Sequence, residues 1–120
     1  MKTLPAASEQ ITAEVTSWPG VDAGMGKRGE FAFKLGRRQL GHLHGDHSAH
    51  FSFPKDVWAE LIAQGRVVPH PVFPTAEGPA ARRIESQADV EAVIELLRLN
   101  YDRAVALHGL PTVVANEPRA

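Results

Sequence analysis

The sequence predicts an α+β domain: an antiparallel β-meander covered on one face by helices, with a long C-terminal helix. Three observations point there. Residues Gly29 to Phe53 alternate apolar and polar side chains around two glycine-led turns. Apolar residues at helical spacing stand on both sides of that stretch. Finally, Val90, Val93, Ile94, Leu97, Tyr101, Ala104 and Val105 trace one helical stripe. Ser86, with Asp89 three residues on as in a capping box, starts that helix, and Gly109 and Pro111 stop it.

Taken in order, residues 1 to 7 are expected to be loose. Ser8 caps a short helix running to about Trp18, with Ile11, Val15 and Trp18 on one side, and Pro19-Gly20 ends it. Val21 to Met25 reads as a first strand. Gly24, Gly26 and Gly29 surround Lys27 and Arg28 in a turn, without the strand-to-helix setting that a phosphate-binding loop requires. In the next strand Phe31, Phe33 and Leu35 share a face. A two-residue loop at Gly36-Arg37 then places Leu40 opposite Phe33 and His42 opposite Phe31. A four-residue loop, Gly45 to Ser48, puts Phe51 opposite His42 and Phe53 opposite Leu40. On this register His42 and His44 join the apolar face, and a three-residue loop at either turn would flip a strand. Pro54 opens a helix with Val57, Trp58, Leu61 and Ile62 as its apolar stripe, closed at Gly65. Arg66 to Phe73 carries two prolines and reads as a sheet edge or connector. Ala80 to Glu85 is a last strand. The terminal helix runs to about Leu107, with Glu91, Glu95, Arg98 and Asp102 facing outward. The domain is expected to span residues 1–111, with 112–120 as a flexible tail.

A chain of 120 residues supports one core. Its net charge of -1 provides no field to draw nucleic acid or an anionic membrane. The absence of cysteine excludes disulfides and thiolate metal sites and fits a reducing cytoplasm, the expected location. No signal-peptide pattern stands at the N-terminus, and no apolar run approaches the roughly 18 residues of a membrane span. The expected partner is a small organic molecule, not nucleic acid or membrane; a homodimer is left open.

Four of the six histidines fall within nine residues: His42, His44, His47 and His50. At i and i+2 of a strand, His42 and His44 point the same way and can share a divalent metal, given a third ligand. His70 is the natural third, with Asp46 or Glu85 behind it. The other readings of the pair are a metal-free polar pocket or hydrogen-bonded members of the core. His47 belongs to a turn, and His50 to the face opposite Phe51, apart from the pair. His108 ends the long helix, where the dipole is negative. Arg82 joins His42, His44 and His70 as a ligand-binding candidate if Arg37-Arg38 and Arg82-Arg83 converge on an anion. No Ser-His-Asp arrangement is identifiable, so catalytic residues stay unassigned and enzymatic activity stays open.

The run GRRQLGHLHGDHSAHFSFPKDVWAELIAQGRVVPH, followed by VEAVIELLRLNYDRAV, resembles small bacterial proteins of the luciferase-domain family over roughly residues 18 to 106. Its most specific pieces are Leu40 to Gly45, Pro69-His70 and Leu96 to Tyr101. The resemblance implies a domain of unassigned function and suggests oxidative chemistry on an organic substrate. In element order alone the chain also resembles small double-wing DNA-binding proteins, but a neutral chain without a basic helix argues against that use. The reading is therefore a protein that binds or oxidises a small organic molecule in a pocket lined by His42 and His44. The alternative is a non-catalytic ligand-binding or protein-interaction module.

Overall fold

Strands β1 (Val21–Met25), β2 (Phe31–Leu35), β3 (Arg38–His44), β4 (Ser48–Ser52), β5 (Val68–Pro69) and β6 (Pro79–Arg83) form one antiparallel sheet in the order β1-β2-β3-β4-β6-β5. Helices α1 (Ala7–Val15), α2 (Lys55–Ala63) and α3 (Gln87–His108) complete a computed structural model that describes residues 4–111. The α+β class and the long last helix are as predicted. The expected tail at 112–120 and the first three residues lie outside the described residues.

The helices share one core with one sheet face. Ile11 and Val15 of α1, Leu61 of α2, and Val90, Val93, Leu96, Leu97 and Tyr101 of α3 are buried together with Phe33, Leu35, Leu40, Leu43 and Phe51. Phe31, Ile62 and Ile94 pack against this core while partly exposed. Tyr101 donates its hydroxyl to the Pro19 carbonyl (2.7 Å), and its ring lies 5.3 Å from that of Trp18, tying the end of α1 to α3. The start of α1 differs from expectation. Ser8 lies inside the helix, its amide donating to Asp46 Oδ1 (2.8 Å), while Glu9 accepts from the Ala6 amide (3.1 Å).

The register around β3 also differs. The loop between β2 and β3 has two residues, as predicted, and Leu35 pairs with Arg38. Farther along, Phe33 faces Gly41 and Phe31 faces Leu43, so Leu40 is the extra residue of a β-bulge. The loop between β3 and β4 has three residues, since His44 pairs with Ser48. Each irregularity flips face parity, and the two flips cancel. Phe51 therefore stays on the core side, but Leu43, not His42 or His44, accompanies it. The placement of His42 and His44 on the apolar face is corrected by this geometry: both lie on the face away from the helices. Asn100 of α3 supports the irregular stretch. Its side-chain amide donates to the carbonyls of Leu40 (3.0 Å) and Ser52 (3.3 Å), just past the last β3–β4 pair.

At the start of α3, Ser86 Oγ accepts from the Asp89 amide (3.2 Å), and Asp89 accepts from the Glu85 amide (2.8 Å) and from Arg82 Nη2 (2.7 Å). The hydrogen bond from Arg82, followed by that from Glu85, holds the Asp89 carboxyl below its ordinary value. A carboxyl whose folded pKa is depressed stabilises above its unfolded pKa and loses that contribution as pH falls through the folded value. Asp89→Asn is thus expected to lower Tm near neutral pH, with the gap to wild type closing below about pH 4. A gap that stays constant through acid would show that the charge is not what Asp89 contributes.

Candidate functional site

Row pairing across the sheet assembles the site. His42 of β3 pairs with His50 of β4, His50 with Ala81 of β6, and Ala81 with Val68 of β5. On the other flank Ala32 of β2 pairs with His42. These residues lie in one row on the helix-free face. The small side chains of Ala32 and Ala81 are buried on either side of the imidazoles. His44 stands one step along β3, beside His42.

The rings gather closely. Centroids lie 5.0 Å apart for His42 and His44, 5.2 Å for His42 and His50, and 4.3 Å for His44 and His50. His70, which follows the edge strand, places its ring 4.1 Å from that of His50, and Phe73 lies 5.2 Å beyond His70. One nitrogen each from His42, His44 and His50 lie within 4.8 Å of one another. Four imidazoles so close cannot all carry charge. Burial, followed by the neighbouring His70, His44 and His42, pushes His50 down to about 4. Burial, then His44, lowers His42; Glu30 pulls the other way. Burial, then His44, lowers His70 as well. At neutral pH His42, His50 and His70 are therefore neutral, each with one lone pair and one N–H.

Hydrogen bonds decide where some of those lone pairs point. His42 Nδ1 donates to Gln39 Oε1 (2.7 Å), which leaves its Nε2 as the acceptor. His70 Nδ1 accepts from the Val72 amide (3.1 Å), so its Nε2 carries the hydrogen. His50 Nδ1 is buried with no partner among the described residues. Such an atom costs stability unless something binds it.

The cluster is a half-buried shelf at the end of a groove, not an enclosed pocket. That groove, about 640 Å³, runs along β1 and β2 past Asp22, Lys27, Glu30, Ala32 and Lys34 to Gln39, the partner of His42. At the other end of the imidazole row, away from the groove, stand Val68 and Phe73, both about half exposed. A more apolar cavity of about 600 Å³ lies beside α1, lined by Thr12, Ala13, Met25, Phe31 and Leu43. It opens on the helix side, so the sheet separates it from the imidazoles.

Of the residues singled out in the sequence, the structure brings His42, His44 and His70 to one place. Arg82 is not with them. It projects from β6 on the helix side, where Asp89 and the Arg66 carbonyl (2.9 Å) hold its guanidinium. Nor do the arginine pairs converge. Arg37 and Arg38 stand at the β2–β3 turn, whereas Arg82 and Arg83 pair with Ala49 and Ser48 of β4, beside the opposite end of β3. Asp46 binds α1, and Glu85 pairs with Arg83 (3.4 Å). The member that sequence reasoning set apart is His50. Its signal was present, since it is indeed opposite Phe51; the mistake lay in the parity of its neighbours.

Comparison with known families matches the Luciferase domain over residues 37–100. Neither a curated protein nor a solved structure matches the chain. The matched stretch contains β3, the bulge, α2, both strands that follow it and all four clustered histidines. It covers more than half of the 120 residues, and the chain belongs to the luciferase-domain family.

Proposed function

We propose that this protein binds a small organic molecule on the helix-free sheet face, against the imidazole shelf, and promotes its oxidation. The observation that carries the reading is the convergence of neutral imidazoles beside a groove. His42 Nε2 has a free lone pair, and both Gln39, which holds the ring, and Ala32, its cross-strand neighbour, line the groove. A neutral imidazole there can take a proton from an acidic hydroxyl on a bound molecule. The resulting oxyanion is electron-rich and gives up electrons more readily than its conjugate acid. Lys27 and Lys34 along the groove supply positive charge for such an anion, and Val68 and Phe73 supply apolar contact for its carbon skeleton. The family's name speaks for oxidation, and dioxygen from solution is the electron acceptor this reading invokes.

The test is a panel of phenolic and enolic acids screened by saturation-transfer NMR, with oxygen uptake measured for every compound that binds. Wild-type protein is expected to bind a subset and consume oxygen with it. His42→Ala is expected to weaken that binding about tenfold or more. Its Tm should stay near the wild-type value, because the ring is only partly buried and stands outside the apolar core. Binding without oxygen uptake would make the protein a non-catalytic binding module. Equal binding by His42→Ala would remove the shelf from the account.

A further inference from the structure

We propose that His42, His44 and His50 form a three-histidine site for a divalent first-row transition metal ion, with His50 in place of His70 as the third ligand. This goes beyond the organic-ligand reading and does not depend on it; the two share His42 Nε2, whose one lone pair serves either an ion or a substrate proton, so a bound ion would displace that nitrogen as the base. The geometry comes first. Three imidazole nitrogens lie within 4.8 Å of one another on one side of the sheet. A tetrahedral ion with bonds of about 2.0–2.1 Å needs them about 3.3 Å apart. Closing that gap takes small rotations of rings that stand over small neighbours, Ala32 and Ala81. All three side chains come from adjacent positions of two paired strands, so the backbone already sets their spacing.

The hydrogen bonds select the ligands. A histidine that binds metal through one nitrogen usually donates the other N–H to an acceptor, and His42 does so to Gln39 Oε1. His50 has a buried nitrogen without a partner among the described residues. His70 cannot serve in its present tautomer: Nδ1 is taken by the Val72 amide, and Nε2 carries the hydrogen. Its ring lies 4.1 Å from that of His50 and acts as a positioning residue. The donor set is three nitrogens without carboxylate or thiolate, which favours zinc, nickel, cobalt or copper over magnesium or calcium. The remaining coordination positions face away from the sheet.

The experiment uses the full, untagged chain after treatment with a chelator, titrated with Co2+ and followed by visible absorption, and with Zn2+ followed by calorimetry. One equivalent is expected to bind, with d–d bands characteristic of few-coordinate nitrogen ligation. His42→Ala, His44→Ala and His50→Ala are each expected to weaken binding about tenfold or more, whereas His47→Ala, in the neighbouring turn, leaves it unchanged. His70→Ala is expected to change it less than His50→Ala does. Because a cluster variant could fold poorly, paramagnetic shifts of the imidazole protons are read on wild-type protein, and they should be largest for His42, His44 and His50. Absence of a saturable Co2+ spectrum overturns the proposal. So does a loss in His47→Ala equal to that in His50→Ala, or a loss in His70→Ala with none in His50→Ala. None of these readouts contains an organic compound, so failure here leaves the oxidation reading to its own test.

Discussion

Leu97→Ala is expected to lower the free energy of unfolding by about 2–5 kcal/mol. Leu97 is 1% exposed and lies where α3 crosses the bulged part of β3, close over Gly41. Truncation removes the transfer free energy of the lost methyl and methylene groups and leaves a cavity. The site has little freedom to collapse. Gly41 has no side chain to move into the space, and the backbone beneath is held by strand pairing and by Asn100. The cost should therefore fall in the middle of the range or above it. Urea unfolding with an unchanged m-value is the measurement. A loss under about half a kcal/mol, as at an ordinary surface position, would mean that α3 packs through another stripe.

How much of this was legible in the sequence follows from which interactions are local. The three helices, β1, the β2–β3 turn and the edge position of β5 depend on spacing, proline and glycine within a few residues, and each was readable. Gly36, at φ 64°, is an example, since a two-residue turn needs positive φ there. The register of β3 was not readable, because nothing in Leu40-Gly41 marks a bulge locally. The bulge is stabilised from a distance, by Asn100 sixty residues later and by Leu97 filling the space over Gly41. The β3–β4 loop was misjudged by one residue for a related reason: a three-residue and a four-residue loop are both compatible with Gly45-Asp46-His47-Ser48.

Those two one-residue shifts decide the chemistry. With a regular ladder, His42 and His44 would lie in the core and demand compensation there. With the shifts, they join His50 on the other face, and the core receives Leu43 instead. The grouping of His42 with His44 survived because residues two apart share a face in any register. The exclusion of His50 did not survive, because cross-strand relations carry every error in the loop between. Membership of the luciferase-domain family, over residues 37–100, adds no residue role to this, but it does place the whole cluster inside the matched domain.

Gly41→Ala tests that dependence on the bulge. Gly41 has no positive φ, so alanine can adopt its backbone conformation, and reducing the freedom of the unfolded chain would by itself stabilise by about 0.4–1 kcal/mol. Packing acts the other way. An added Cβ would stand 2.8 Å from Leu97 Cδ2, 3.0 Å from the His50 carbonyl oxygen and 3.0 Å from Phe51 Cδ2. The leucine methyl can swing aside, but the carbonyl belongs to β4 and cannot move without its strand. Overpacking of this kind costs about 1–3 kcal/mol, so it should outweigh the entropic gain and leave a net loss near 1 kcal/mol or more. The same displacement separates β3 from β4 where His42 faces His50, so nuclear Overhauser contacts between their rings should weaken as well. Combining the change with Leu97→Ala removes the nearest clash, and the double variant should lose less than the two single losses added, by about 0.5–3 kcal/mol. If Gly41→Ala instead raises the urea midpoint and preserves the ring contacts, Gly41 is not the close approach that sets the histidines on the helix-free face.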